Sequence, residues 1–230
     1  METQENRDVP PYEAVLVIFV TFFLAVFVGA IILLTLGDAA TLILGELLIL
    51  IAPLSYLLYK RVKIREFARI NFSPKFVLIG VACGAALIPL NILISTALTA
   101  ILGNSSAVED ANLLYANLSA TPIGLIAVAT SLVLAGICEE FAFRGFLQNS
   151  IFRNLQKNQR FSRHAFIVAL VVSAAAFGIF HLDPQFVYII ATFVPGLVLG
   201  YIYHRWGYTT SATAHASMNL IVLAFLLFGL

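Results

Sequence analysis

Hydrophobic positions in this chain do not alternate or recur on one helical face; they run on. Nearly unbroken apolar stretches cover roughly 14–36, 40–59, 76–102, 121–152, 165–182, 186–204 and 209–229. A membrane-spanning helix needs about 20 mostly apolar residues. The pattern therefore predicts an all-α, polytopic transmembrane bundle of about seven spans, six to eight allowing for boundaries. Between the second and third runs, KRVKIREFARINFSPK (60–75) mixes Lys and Arg with Ile, Phe and Val, and is expected to lie on the membrane as an interfacial piece. Residues 103–120 read as a polar loop holding Glu109 and Asp110 and no basic residue. No fixed-period repeat and no shift in composition cuts the chain, so 1–230 is expected to be a single membrane domain.

Charge gives the bundle a direction. With the N-terminus in the cytoplasm, Arg7 precedes the first span, and Lys60, Arg61, Lys63, Arg65, Arg69 and Lys75 fall between spans two and three. Arg144, Arg153, Lys157, Arg160 and Arg163 lie in or after the inner part of span four, and Arg205 ends span six. That accounts for all 13 Lys and Arg residues. The outer connections hold Asp38, Glu109, Asp110 and Asp183 only. Basic residues collect on the cytoplasmic side, so the expected topology is N-terminus cytoplasmic, C-terminus outside. Composition agrees: 61% of residues are hydrophobic and 11% charged, against about 25% charged in a soluble domain. An integral, multi-pass membrane protein is expected, in the plasma membrane if the host is prokaryotic. A net charge of +1 offers no basic face to nucleic acid. Cys83 and Cys138 both sit in apolar runs and imply no disulfide framework. The start METQENRDVPPYE is polar and acidic, and the apolar run after it is too long for a signal peptide, so no cleavable signal is expected.

Ionisable residues inside the runs need an explanation, because a charge at bilayer depth costs at least about 2.5–3.5 kcal/mol. They are Glu46, Glu139, Glu140, Arg144, His181 and His215. In GICEEFAFRGF, Glu140 and Arg144 are i and i+4 and can pair on one helical face. Glu139, about 100° round the helix, is left with a carboxylate aimed toward a cavity. Phe177 and His181 are also i and i+4, as are His215 and Asn219. Each group alone reads equally well as a polar contact between helices, and Glu46 is expected to be of that kind. Together, two carboxylates, two imidazoles and an amide on three spans are the ingredients of a hydrolytic site, with a general base for water and donors for an oxyanion. Glu139, His181 and His215 are equally a ligand set for a divalent metal. No H-E-x-x-H, G-x-S-x-G, Walker-type loop or dinucleotide fingerprint is present.

The ordered set E-E-x-x-x-R (Glu139, Glu140, Arg144), F-x-x-x-H (Phe177, His181) and H-x-x-x-N (His215, Asn219) resembles the CAAX protease and bacteriocin-processing (CPBP) family of intramembrane proteases, similar to type II CAAX prenyl endopeptidases. FVPGLVLGYIYHRWGYTTSATAHASMN, with Gly196, Gly200, Trp206 and Gly207, is similar to that family's last two helices. The resemblance covers about 120–225, which it marks as a catalytic core. It implies that Glu139, assisted by His181, activates the attacking water, that His215 and Asn219 polarise the scissile carbonyl, and that Glu140 and Arg144 form a supporting pair. It leaves zinc open, with activated water and no obligatory metal as the preferred reading. The implied partners are a peptide or lipidated, prenylated CAAX-type substrate and the bilayer, with the cavity open to cytoplasm or bilayer. The other classes are a transporter, which lacks the inverted repeats and broken helices expected of one, and a non-proteolytic immunity or scaffold protein. One conflict stands: Glu139 falls toward the cytoplasmic half of span four, and His181 near the outer end of span five. For them to meet, span five must begin near Phe161, or span four must tilt or start later than Thr121.

Overall fold

The computed structural model describes residues 8–229; residues 1–7, including Arg7, and Leu230 lie outside the described residues. In chain order the helices are α1 (Pro11–Leu36), α2 (Asp38–Tyr59), the short α3 (Ile64–Phe67), α4 (Pro74–Leu102), α5 (Ser106–Ser119), α6 (Pro122–Lys157), α7 (Ala165–Phe180), α8 (Val187–Trp206) and α9 (Tyr208–Phe228). No strand occurs among the described residues. Seven helices are long and apolar enough to cross a membrane, as the apolar runs predict: α1, α2, α4, α6, α7 with its leading turn (Ser162–Phe180), α8 and α9.

Local chemistry sets the boundaries. Pro11, Pro74 and Pro122 occupy first turns, where a missing N–H costs nothing. Ser105 and Thr121 cap α5 and α6, their hydroxyls accepting from the N–H of Val108 at 3.2 Å and of Gly124 at 3.1 Å. Between α8 and α9 the chain reverses at Gly207. Its φ is +88°, and a Cβ there would lie 2.7 Å from the Arg69 carbonyl oxygen. Only glycine meets both demands.

Two segments differ from the sequence reading. Residues 103–120 are not a loop: α5 occupies most of them, carried by the Ser105 cap and by Val108, Leu114, Tyr115 and Leu118 recurring on one side. Segment 60–75 is mostly exposed but anchored inward at several points. Val62, Phe67 and Ala68 are buried in the bundle, Asn149 donates to the Phe67 carbonyl at 2.6 Å, and the Arg69 guanidinium donates to the Tyr203 and His204 carbonyls at 3.2 and 2.9 Å. Those carbonyls lie in the last turn of α8, where the helix runs out of N–H donors; the Tyr203 carbonyl also accepts from the Gly207 N–H at 2.8 Å.

The basic residues gather at one end. Lys60 pairs with Glu13 at 2.9 Å, and Arg153 with Asp8 at 3.0 Å; Lys157 also pairs with Asp8. α4 leads away from this end and α6 returns to it, and α5 lies at the other, where Ser106 donates to Gln185 in the α7–α8 turn at 3.2 Å. At the centre, α9 is gripped between α4 and α6. A Cβ on Gly84 would sit 2.5 Å from the Ala214 carbonyl oxygen, and one on Gly136 would sit 2.6 Å from the Ala216 nitrogen. Small residues let backbones approach this closely, and the polar face of α9 is thereby set against α6.

Candidate active site

The register of α6 against α7 brings Glu139 and His181 to the same depth, though not into contact. Glu139 lies eighteen residues before Lys157, and His181 sixteen after Ala165. At a rise of 1.5 Å per residue both stand about 25 Å from the α6–α7 turn. The fifth span begins at Ser162, close to the Phe161 start that one of the two alternatives required, and α6 continues beyond the predicted 152 to Lys157. Directly after Glu140, α6 widens into a π-helical stretch, Phe141–Gln148, all of it buried. π-Helical turns are rare and concentrate at functional sites.

Glu140 and Arg144 are fully buried. Arg144 Nη1 lies 2.8 Å from Glu140 Oε1, and Nη2 donates to the Gly196 carbonyl on α8 at 3.2 Å. The guanidinium also rests on the Phe177 ring, 4.2 Å from its centroid. Glu140 is not a closed pair within its own helix, however. His215 Nδ1–H donates to the same Oε1 at 3.2 Å, so one carboxylate oxygen ties α6 to α9. The Tyr208 hydroxyl, donating to the Ile137 carbonyl at 2.9 Å, fixes the start of α9 to α6 as well.

The other ring nitrogen of His215, Nε2, faces Glu139 Oε2 at 3.8 Å, too long for a direct hydrogen bond. Glu139 is 8% exposed. It stands beside His215 rather than on the wall of the neighbouring cavity, against the expectation of a carboxylate aimed straight into open space; the imidazole from α9 comes between. His181 ends α7 and donates from Nδ1 to the Phe177 carbonyl at 2.9 Å. A carbonyl only accepts, so Nδ1 carries the proton and Nε2 keeps a lone pair. Neither glutamate comes within ion-pair range of His181. Phe177 stands between the imidazoles, edge-on to His181 at 4.8 Å and to His215 at 5.8 Å. Its place in F-x-x-x-H is thus physical: it supports Arg144 and spaces the histidines. Asn219 donates to the Leu132 carbonyl at 3.4 Å, leaving a second amide N–H.

His181, His215 and Asn219 line one cavity of about 360 Å³. Its opposite end is formed by Asn104, Glu109 and Asn112, all exposed. The exposed lining of the cavity thus lies at the α5 end of the bundle and not at the basic end; the expectation was an opening to the cytoplasm or to the bilayer. Sequence reasoning missed the remaining polar lining, chiefly Asn91, Ser95 and Thr99 on α4 and Tyr115 on α5. The spacing of four between Asn91, Ser95 and Thr99 was the available signal. Burial, and after it the carboxylates of Glu46 and Glu139, push the Tyr115 phenol up to about 12.

The metal reading meets a geometric obstacle. Among the described residues no three His, Cys, Asp or Glu side chains gather closely enough to hold an ion, and Glu139, His181 and His215 are no exception. The Nδ1 atoms of both histidines are engaged by Phe177 and Glu140, which leaves Nε2 as the outward atom of each ring, but the third ligand is not gathered with them. This donor set does not fit a resident metal.

A family model described as type II CAAX prenyl endopeptidase Rce1-like matches residues 120–221. No curated protein and no solved structure matches the chain significantly. The matched segment holds the E-E-x-x-x-R, F-x-x-x-H and H-x-x-x-N residues, of which Phe177, His181, His215 and Asn219 line the cavity, and the seven apolar helices make the chain an integral, multi-pass membrane protein. Residues 120–221 are thus similar to the type II CAAX prenyl endopeptidase Rce1-like family, a family of proteases.

Proposed function

We propose that this protein is an intramembrane endopeptidase that hydrolyses a peptide bond of a membrane-associated substrate, with residues 120–225 as its catalytic core and its N-terminus in the cytoplasm. The observation that carries the reading is the convergence of His181, His215 and Asn219 from three helices on one cavity, with Glu139 at 3.8 Å from His215.

In this reading Glu139 takes a proton from the attacking water as general base, and the His181 Nε2 lone pair orients that water. The water oxygen bonds to the scissile carbonyl carbon, and the carbonyl oxygen takes up the negative charge. Asn219 and His215 donate to that oxygen. Because His215 gives its Nδ1–H to Glu140, donation from Nε2 requires the ring to carry both protons. The C–N bond then breaks, and the proton held by Glu139 passes to the leaving amine. Glu140 and Arg144 position His215 and touch no reacting atom. The family's namesake substrate, a prenylated CAAX-type protein, is one candidate of this class.

The test is cleavage of a fluorogenic peptide library by the purified full-length protein in nanodiscs. Cleavage that vanishes in Glu139→Ala, with unchanged thermal unfolding, is the expected result. Cleavage that persists in that variant overturns the assignment.

A further inference from the structure

At the basic end of the bundle, segment 60–75 does more than connect two spans. With the start of α4 and the α8–α9 turn it walls an open cleft of about 900 Å³ that shares no residue with the cavity of the candidate site. Four cations line it, Arg65, Arg69, Lys75 and Arg205, all exposed. Among the described residues none of the four pairs with a carboxylate. The one acid in the lining, Glu66, is engaged by Lys63 at 3.5 Å. Like charges gathered round a concave wall repel one another and focus a field that an anion relieves.

Arg69 is built into this cleft. Its backbone stands at φ +55°, in the left-handed region that residues other than glycine seldom enter. Its carbonyl accepts from the Tyr208 N–H at 3.3 Å. Nη1 of its guanidinium donates to the Tyr203 and His204 carbonyls. Among the described residues Nε and Nη2 make no hydrogen bond, so the group is oriented through one nitrogen and keeps N–H donors on another edge. A guanidinium edge held in this way matches two oxygens of one phosphate.

Depth points to the source of that phosphate. The span of α4 begins at Pro74 and that of α8 ends at Trp206, so the cleft lies where hydrocarbon gives way to headgroups. Trp206, half-buried in the lining, is the chain's single tryptophan, and tryptophan favours this boundary. Basic pockets at the end of a helix bundle suit the headgroups of anionic lipids. A soluble phosphate would meet the same cations but would make no use of the aromatic rim.

We propose that this cleft is a phosphate site, and that its ligand is the headgroup of an anionic phospholipid from the adjoining leaflet. Arg69 offers two N–H groups to the phosphate oxygens, and Arg65, Lys75 and Arg205 balance the charge. The site stands apart from the peptidase chemistry proposed above and does not rest on it.

Trp206 reports on the cleft directly, because the chain holds no other tryptophan. Full-length protein is reconstituted in brominated phosphatidylcholine, and unbrominated phosphatidylglycerol is titrated in. Relief of quenching gives the relative affinity of the two lipids beside Trp206. Phosphatidylglycerol is expected to be favoured at least about fivefold, the effect of one surface cation. Arg65→Gln combined with Lys75→Gln, whose side chains make no contact that holds the fold among the described residues, should bring the ratio close to one with unchanged thermal unfolding. Arg69→Gln should act in the same direction. Arg160→Gln combined with Arg163→Gln, at the same end but outside the cleft, should leave the preference intact. A ratio near one in the unaltered protein, a preference untouched by the cleft substitutions, or an equal loss from the Arg160 and Arg163 pair overturns the inference. Inorganic phosphate is added separately to protein in phosphatidylcholine alone. A change in Trp206 emission that Arg69→Gln abolishes, without any preference for phosphatidylglycerol, assigns the cleft to a soluble phosphate and overturns the lipid source.

Discussion

His215 on α9 donates to Glu140 on α6 across 3.2 Å, and it does so to the carboxylate oxygen that Arg144 approaches at 2.8 Å. One buried anion therefore answers two donors from two helices. The catalytic imidazole proposed above is held in place by a pair that takes no part in the chemistry.

Removing the cation is expected to be costly. Arg144→Ala would leave Glu140 buried and short of its ionic partner, a change that typically destabilises by about 3–5 kcal/mol. Unfolding in mixed detergent should show a loss of that size. Arg144→Lys should recover part of it, but not the Gly196 hydrogen bond or the stacking on Phe177.

The adjacent carboxylates should separate by variant. Glu139→Gln is expected to lower turnover by about 10²–10⁴-fold, the range for a general base, with little change in unfolding. Glu140→Gln should lower both, because it weakens the Arg144 and His215 contacts. Equal stability losses in the two variants would contradict the division of roles.

Close packing at Gly136 sets the distance between α6 and α9. Gly136→Leu places new carbon against the Ala216 nitrogen and the Ala212 carbonyl, 2.6 and 2.9 Å from the position of its Cβ. Overpacking of this kind costs about 1–3 kcal/mol. Because it also separates His215 from Glu140, turnover at fixed temperature should fall even where the variant stays folded.

Chelation distinguishes the two mechanisms that the residue types alone allow. With Glu139, His181 and His215 not gathered as a ligand set, Glu139-dependent cleavage is expected to survive dialysis against a strong chelator. Loss of cleavage that zinc restores would show a ligand arrangement different from this one.

Sidedness follows from the separation of charge along the bundle. In a Cys83→Ala, Cys138→Ala background, Glu109→Cys should react with a membrane-impermeant maleimide in intact cells, and Lys157→Cys only after permeabilisation. The reverse pattern would invert the proposed topology.

Much of this was legible in the chain because membrane spans announce themselves by length and apolarity, without reference to what they touch. Seven runs predicted seven helices, and the pairing of Glu140 with Arg144 followed from a spacing of four on one helix. Where partners come from distant segments, that logic fails. The Asp, Glu and Asn residues of 103–120 concealed α5, whose apolar side is modest and whose start depends on the Ser105 hydroxyl. Segment 60–75 looked like a plain surface strip because its anchoring to the last carbonyls of α8 is written nowhere in its own composition.

By itself the sequence determined the number of spans, the gathering of basic residues at one end and the cast of the candidate site, since each depends on local composition or on spacing within one helix. Only the tertiary structure decided that Glu139 faces His215 instead of open cavity, that Glu140 serves α9 as well as Arg144, and that the exposed lining of the cavity lies beside α5. Those outcomes depend on the register between helices. That register is set by contacts such as Gly136 against Ala216 and Gly84 against Ala214, where what matters is how closely two backbones can approach.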